Sequence, residues 1–246
     1  MSVNIEKLPD KIKQLPYWRV NFKPDTYKTR IEGDPGVAFD LVEKNQIRLR
    51  GWPYPFISDE RLEKIRGKKY IASGSDFLGH KEYWRLYYSG QFINLFTVRE
   101  KANQRWDEKL RELARECILE YKRNVVEIPG FISILNLLDH FTEIFEFAKR
   151  LCSKGLYDGK LEINIEIRNI KGFCIIAEFP KFWHGYYPAT ANIVGDSWAI
   201  QSEQIVAKIA ELALNGSVNF LKKFGWDNPP FDILKKDQEK FLLGKI

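Results

Sequence analysis

The apolar positions of the chain fall into two periodicities, and the change from one to the other marks its elements. From Phe131 to Cys152 they recur at helical spacing around most of the circumference, which predicts a buried helix. Ser133, Asn136, Asp139, His140, Glu143 and Glu146 interrupt that run every three or four positions. They form a narrow polar stripe that must find partners inside the protein. The stripe is therefore the first place to look for a site, although as a sequence pattern it specifies no one chemistry.

Strand patterns lie on either side. Tyr83–Arg99 carries β-branched and aromatic runs around Ser89-Gly90 and predicts a hairpin. Leu161, Ile163, Ile165 and Ile167 alternate with Glu162, Asn164, Glu166 and Arg168, which predicts a strand with one wet face, turning at Gly172 into a partner over 173–178. Ile47–Gly51 and Lys69–Ser73 also read as strands, and Ser58 as the cap of a short helix over 59–66. Further helices are expected after Pro35, over Glu100–Tyr121, from Ser202 to the stop at Gly225, and after Pro229-Pro230.

Hairpins and helices are grouped, without strict strand-helix alternation. The expected class is α+β, an antiparallel or mixed sheet with two hairpins, packed by a buried central helix and two C-terminal helices. Residues 1–34, with Pro9, Pro16, Pro24 and Pro35 around Tyr17–Phe22, read as an extended N-terminal arm packed on the core. Residues 35–246 read as a single α+β domain.

Composition narrows the function classes. The 246 residues are 44% hydrophobic and 14% aromatic, enough to build a core without crosslinks. The three cysteines, Cys117, Cys152 and Cys174, are scattered with no paired spacing, so neither a disulfide framework nor a cysteine metal site is expected. The amino terminus lacks a signal-peptide core, and no uncharged apolar run approaches the roughly 20 residues that span a bilayer. A cytoplasmic protein with no membrane contact is the expectation. The net charge of +6 is concentrated in Lys7–Arg30 and Arg61–Lys69, which makes nucleic acid a conceivable partner.

No segment carries a complete catalytic or cofactor signature, and no cofactor or bound metal is expected. Asp76, His80, His140, Glu143 and His184 are the candidate catalytic residues, because imidazoles and carboxylates together supply acid-base chemistry near neutral pH. They would form a hydrolase site, acting by general base or with a divalent metal, for a phosphorylated or nucleic-acid substrate, with Arg85 as anion clamp. Only His140 and Glu143 lie close in sequence, on one helix face. Ser73–Arg85, with two glycines and two hydroxyls, reads either as an amide cradle for an anion or as a plain hairpin connection. Glu162, Glu166 and Lys171 do not match the spacing of a metal-dependent nuclease, and Gly74–Asp76 falls short of a serine-hydrolase elbow.

The basic candidates for an anion or nucleic acid are Arg50, Arg66, Lys68, Lys69, Lys81 and Arg85. Trp18, Trp52, Tyr54, Trp183, Tyr186 and Tyr187, several of them in the proline-bracketed loops 51–56 and 183–188, are candidates for a partner surface. The leading expectation is a non-catalytic binding module, an accessory or regulatory subunit that engages a protein and conceivably nucleic acid. The hydrolase is its rival, and a homodimer through Phe231–Leu243 a third outcome.

Overall fold

A computed structural model describes residues 4–32, 34–57, 64–77, 79–102, 104–118, 127–177 and 185–245. Among the described residues nine strands run in chain order as β1 (Tyr17–Pro24), β2 (Ile65–Arg66), β3 (Tyr70–Phe77), β4 (His80–Tyr87), β5 (Phe92–Thr97), β6 (Phe131–Ser133), β7 (Lys160–Arg168), β8 (Cys174–Ile176) and β9 (Ile193–Gln201). The helices are α1 (Leu8–Lys13), α2 (Pro35–Lys44), α3 (Arg99–Ala102), α4 (Gln104–Ile118), α5 (Ile134–Ser153), α6 (Ser202–Lys222) and α7 (Phe231–Leu242).

Seven strands make one antiparallel sheet in the order β2-β3-β4-β5-β1-β7-β9, and β6 pairs with β8 in parallel. The α+β class expected from the sequence is therefore the class observed. Two hairpins, β3–β4 and β4–β5, are present. The partner expected for β7 is different: it pairs with β1 and β9, while residues 174–176 leave the sheet to pair with β6. Gly172 does turn the chain, with φ of 83°, but the segment after it is a fully buried apolar triplet and joins buried β6. The N-terminal stretch is also more deeply built in than an arm, because β1 lies in the interior of the sheet between β5 and β7.

Strict alternation assigns the two sheet faces. Trp18, Val20 and Phe22 of β1, Trp84 and Leu86 of β4, Phe92 and Phe96 of β5 and the four isoleucine or leucine positions of β7 pack under α5 and α6 in the main core. Trp18 stacks on Phe96 at 5.8 Å and on Phe220 at 6.1 Å, while Phe147 of α5 lies 5.1 Å from Phe92. The opposite face carries a smaller cluster in which Leu8 and Ile12 of α1 cover Ala72, Tyr83 and Leu95. Elsewhere it is polar: Glu162 pairs with Lys23 and Glu166 with Arg19, which is the wet face the alternation of β7 predicts.

Ser133 begins α5 by accepting the Asn136 amide at 3.1 Å, and Gly155 (φ 74°) follows its end. Ser202, expected as a cap, is the first residue of α6; Gln201 occupies the cap position without a side-chain bond. The expected strand at 47–51 is instead one edge of a closed loop, pinned where Ile47 and Tyr54 exchange amide-carbonyl bonds at 2.7 and 2.8 Å. Pro53 and Pro55 forbid a longer ladder there. The expected helix over 59–66 lies mostly outside the described residues, and β2 occupies its end.

Candidate functional site

The polar stripe of α5 is satisfied by a residue from far along the chain. Arg50, carried on the closed loop 47–54, reaches it with every nitrogen of its guanidinium. Nε donates to Glu143 Oε1 at 3.1 Å, Nη2 donates to Glu143 Oε2 and to His140 Nδ1 (3.0 Å), and Nη1 donates to Asn136 Oδ1 at 3.3 Å. Asp139 adds its charge 3.8 Å from Nη1. Glu100 completes the stripe at its amino end, accepting from the Ser133 amide (2.9 Å) and Asn136 Nδ2 (3.3 Å).

These contacts set the charge states. Burial pushes the Glu143 carboxyl up, but the adjacent Arg50 charge and its hydrogen bonds outweigh burial and hold it below the usual carboxylate range. Burial, reinforced by Arg50, pulls His140 down to about 4, so its ring is neutral at pH 7. A guanidinium can only donate, so His140 Nδ1 accepts and the proton sits on Nε2.

A cavity of about 340 Å³ opens beside this network. Three elements wall it. Loop 50–54 contributes Arg50, Trp52 and Tyr54; the sheet contributes Phe77, His80, Glu82 and Phe96, with Arg99 just beyond β5; and α5 contributes His140 and Glu143. Trp52 is braced by Phe56, stacked at 4.4 Å, with Phe77 nearly parallel at 6.0 Å and His80 edge-on at 5.6 Å. Glu82 is buried, and its Oε1 accepts from the Phe56 amide at 3.2 Å and Asn94 Nδ2 at 3.0 Å. His80 Nε2 lies 3.6 Å from its Oε2.

Six of the residues singled out by sequence, Arg50, Trp52, Tyr54, His80, His140 and Glu143, thus line one cavity. The others do not. Asp76 and Arg85 alternate onto the opposite sheet face from His80 and Glu82, so the constellation proposed for hydrolysis does not assemble as expected. Asp76 pairs across the strands with Lys81 at 2.5 Å. Arg85 lies 4.1 Å over the Tyr70 ring and donates to Tyr83 Oη at 2.9 Å and Tyr87 Oη at 3.0 Å, held by tyrosines rather than clamping a cavity ligand. Ser73–Phe77 is strand, not an anion-cradling loop. Gly74 is required there because a Cβ would stand 2.2 Å from the Glu82 carbonyl oxygen.

Trp18 is 1% exposed in the main core, so it is no surface aromatic; its ring fills the space beneath α5 and α6. Tyr186 and Tyr187 are half-buried, Tyr187 stacking on Trp226 at 5.7 Å. Arg66, Lys68 and Lys69 are exposed around β2 and β3, with Arg66 5.5 Å from the Phe39 ring. Trp183 and His184 lie outside the described residues.

Sequence reasoning missed Glu82, Phe77, Phe96 and Arg99. A signal existed for Glu82: it shares its register with Trp84 and Leu86, which places a carboxylate on the apolar face of β4. Among the described residues no cluster of three histidine, cysteine or carboxylate side chains is close enough to hold a metal ion. Cys152 and Cys174 are buried thiols, each pushed up to about 12 by burial, and neither lines the cavity. No described helix is long and apolar enough to cross a membrane.

Fold and site define an antiparallel α+β sheet protein with a charged, aromatic cavity at one end of its helix-covered face. Comparison with protein-family models, curated proteins and solved structures finds no match to this chain.

Proposed function

We propose that the chain is a non-catalytic binding module whose recognition site is the cavity between loop 50–54 and α5, and that it accepts a small planar polar group. One observation carries this reading. Trp52 Nε1, Tyr54 Oη and His140 Nε2 are buried polar atoms without a hydrogen-bond partner among the described residues, and all three belong to side chains that line the cavity. A buried polar atom left unpaired costs about 1–3 kcal/mol, and a guest towards which these three side chains turn would relieve that cost. The volume suits such a guest, since small-molecule sites begin at about 300 Å³. An accessory or regulatory role fits a module that senses a ligand in this way, and a protein or nucleic-acid partner remains part of the proposal.

Screening the full chain against planar polar fragments by thermal shift and tryptophan fluorescence tests it. The expected result is a saturable ligand whose affinity falls at least tenfold in Trp52→Ala. The absence of any saturable ligand up to millimolar concentration would refute the reading.

One observation favours a second, catalytic reading: His80 and His140 line the same cavity, and buried Glu82 lies 3.6 Å from His80 Nε2. A hydrolase built this way would lose turnover of a nucleotide or phosphodiester in His80→Ala while retaining its fold. Undetectable turnover in both proteins speaks for the binding module alone, and turnover unchanged in His80→Ala removes His80 from the chemistry.

A further inference from the structure

The geometry points to a ligand class: the cavity takes the lactam edge of a nucleobase-type heterocycle, a ring carbonyl beside a ring N–H, as in uracil and guanine. This inference rests on the cavity being the recognition site.

The donor side is set by tautomer and chemistry. His140 carries its proton on Nε2, because Nδ1 accepts from Arg50, and an indole nitrogen can only donate. The Tyr54 hydroxyl stays protonated, since burial first, and then the charges of Glu82 and Glu143, push its ionisation well above the ordinary range. Side chains of the cavity wall therefore carry three hydrogen-bond donors without a partner among the described residues, the indole and imidazole N–H groups and the phenol; they are enclosed until those side chains turn towards a guest, and pairing them then calls for carbonyl oxygens or ring nitrogens on it.

The acceptor side is Glu82. Its Oε1 is occupied by the Phe56 amide and Asn94, whereas Oε2 takes no hydrogen bond from any described residue, with only His80 Nε2 at 3.6 Å. A guest with acceptors alone leaves that carboxylate oxygen unmatched in a buried setting.

Charge balance agrees. Arg50 and Arg99 match Glu82 and Glu143 among the lining residues, so the cavity has no formal net charge and suits a neutral ring. The flat walls of Trp52, Phe77 and Phe96 suit a planar one. A lactam meets all three conditions, accepting at its carbonyl and donating its N–H to a carboxylate. A base of this kind is available as a free nucleoside or within a single strand, and the chemistry of the edge is the same in both.

Titration of the full chain with uridine, guanosine, 3-methyluridine, 1-methylguanosine, adenosine and a short oligouridylate, read by calorimetry and tryptophan fluorescence, tests this. Uridine or guanosine is expected to bind, and methylating its ring N–H to weaken binding at least tenfold. The methyl group sits on the ligand, so no variant need fold for the result to count. Glu82→Gln, checked for an intact melting transition, should narrow the gap between methylated and unmethylated forms. Tighter binding of the oligomer than of uridine assigns the base to a strand; equal binding assigns it to the free nucleoside.

Equal affinity for methylated and unmethylated rings, or adenosine binding as tightly as the lactams, overturns the ligand class while leaving the cavity as the binding site. Failure of every nucleoside and of the oligomer overturns the class too, and the fragment screen with Trp52→Ala then decides separately whether the cavity binds anything.

Discussion

Arg50 and Glu143, 93 positions apart in sequence, form a two-pronged ion pair: Nε meets Oε1 at 3.1 Å while Nη2 meets Oε2. Glu143 is almost fully enclosed and Arg50 nearly so, so the pair ties loop 47–54 to the central helix through one desolvated contact. Removing one partner of a buried pair costs about 3–5 kcal/mol, because the other charge is left unpaired. Arg50→Met is therefore expected to destabilise by about that amount in chemical denaturation. The double variant Arg50→Met with Glu143→Leu should recover most of the loss, and additive losses would show that the two residues do not act as a pair.

His140 makes stability depend on pH. Its folded value of about 4 lies below the ordinary value of 6.5, so the unfolded chain takes up the proton first. Stability from this residue is full above pH 6.5 and is lost as pH falls towards 4, by about 3 kcal/mol in total. Glu143, whose folded pKa is also depressed, adds its own loss from the ordinary carboxylate range downward. His140→Gln is expected to flatten the dependence between pH 6.5 and 4. An unchanged slope in that window would place the acid sensitivity elsewhere.

Gly74 reports on the β3–β4 contact that holds Glu82 in place. Because a Cβ there would meet the Glu82 carbonyl at 2.2 Å and Leu8 Cδ2 at 3.0 Å, Gly74→Ala should cost about 1–3 kcal/mol. It should also weaken any cavity ligand, by shifting Glu82 with its strand. Gly155→Ala, with an open site but a left-handed backbone, serves as a comparison that should lower the melting temperature without touching the ligand.

Trp52 separates recognition from folding. Stacking of a base on an aromatic ring is worth about 1–3 kcal/mol, so Trp52→Ala should lower affinity for a planar ligand between roughly five- and 150-fold. Trp52 is only half-buried and sits outside the main core, so the melting transition should persist. Equal affinity in the two proteins would remove the ring from the site.

Periodicity made the central helix, its polar stripe and the faces of β7 readable in the sequence, since each is a local pattern with a short repeat. The partner of the stripe was not readable. Arg50 lies in a segment that reads as a strand, just before Pro53 and Pro55, and nothing local connects it to a helix more than 80 positions later, as the Arg50–Asn136 contact shows with its separation of 86. The pairing of β8 with β6 was hidden for the same reason: a three-residue apolar strand has no alternation to give its direction or its partner. Asp76 and His80 share a candidate site by residue type alone, but the β3–β4 register pairs Asp76 with Lys81 and Phe77 with His80, which sends the two to opposite faces.

The most direct test of the cavity as a recognition site is nitrogen-proton NMR of the Trp52 indole and His140 imidazole in the full chain, recorded as uridine and guanosine are added. The expected result is a His140 ring protonated at Nε2 at neutral pH, with that signal and the Trp52 Nε1–H signal shifting together and saturably. A His140 ring protonated at Nδ1, or two signals that stay still while a ligand binds elsewhere, would contradict it.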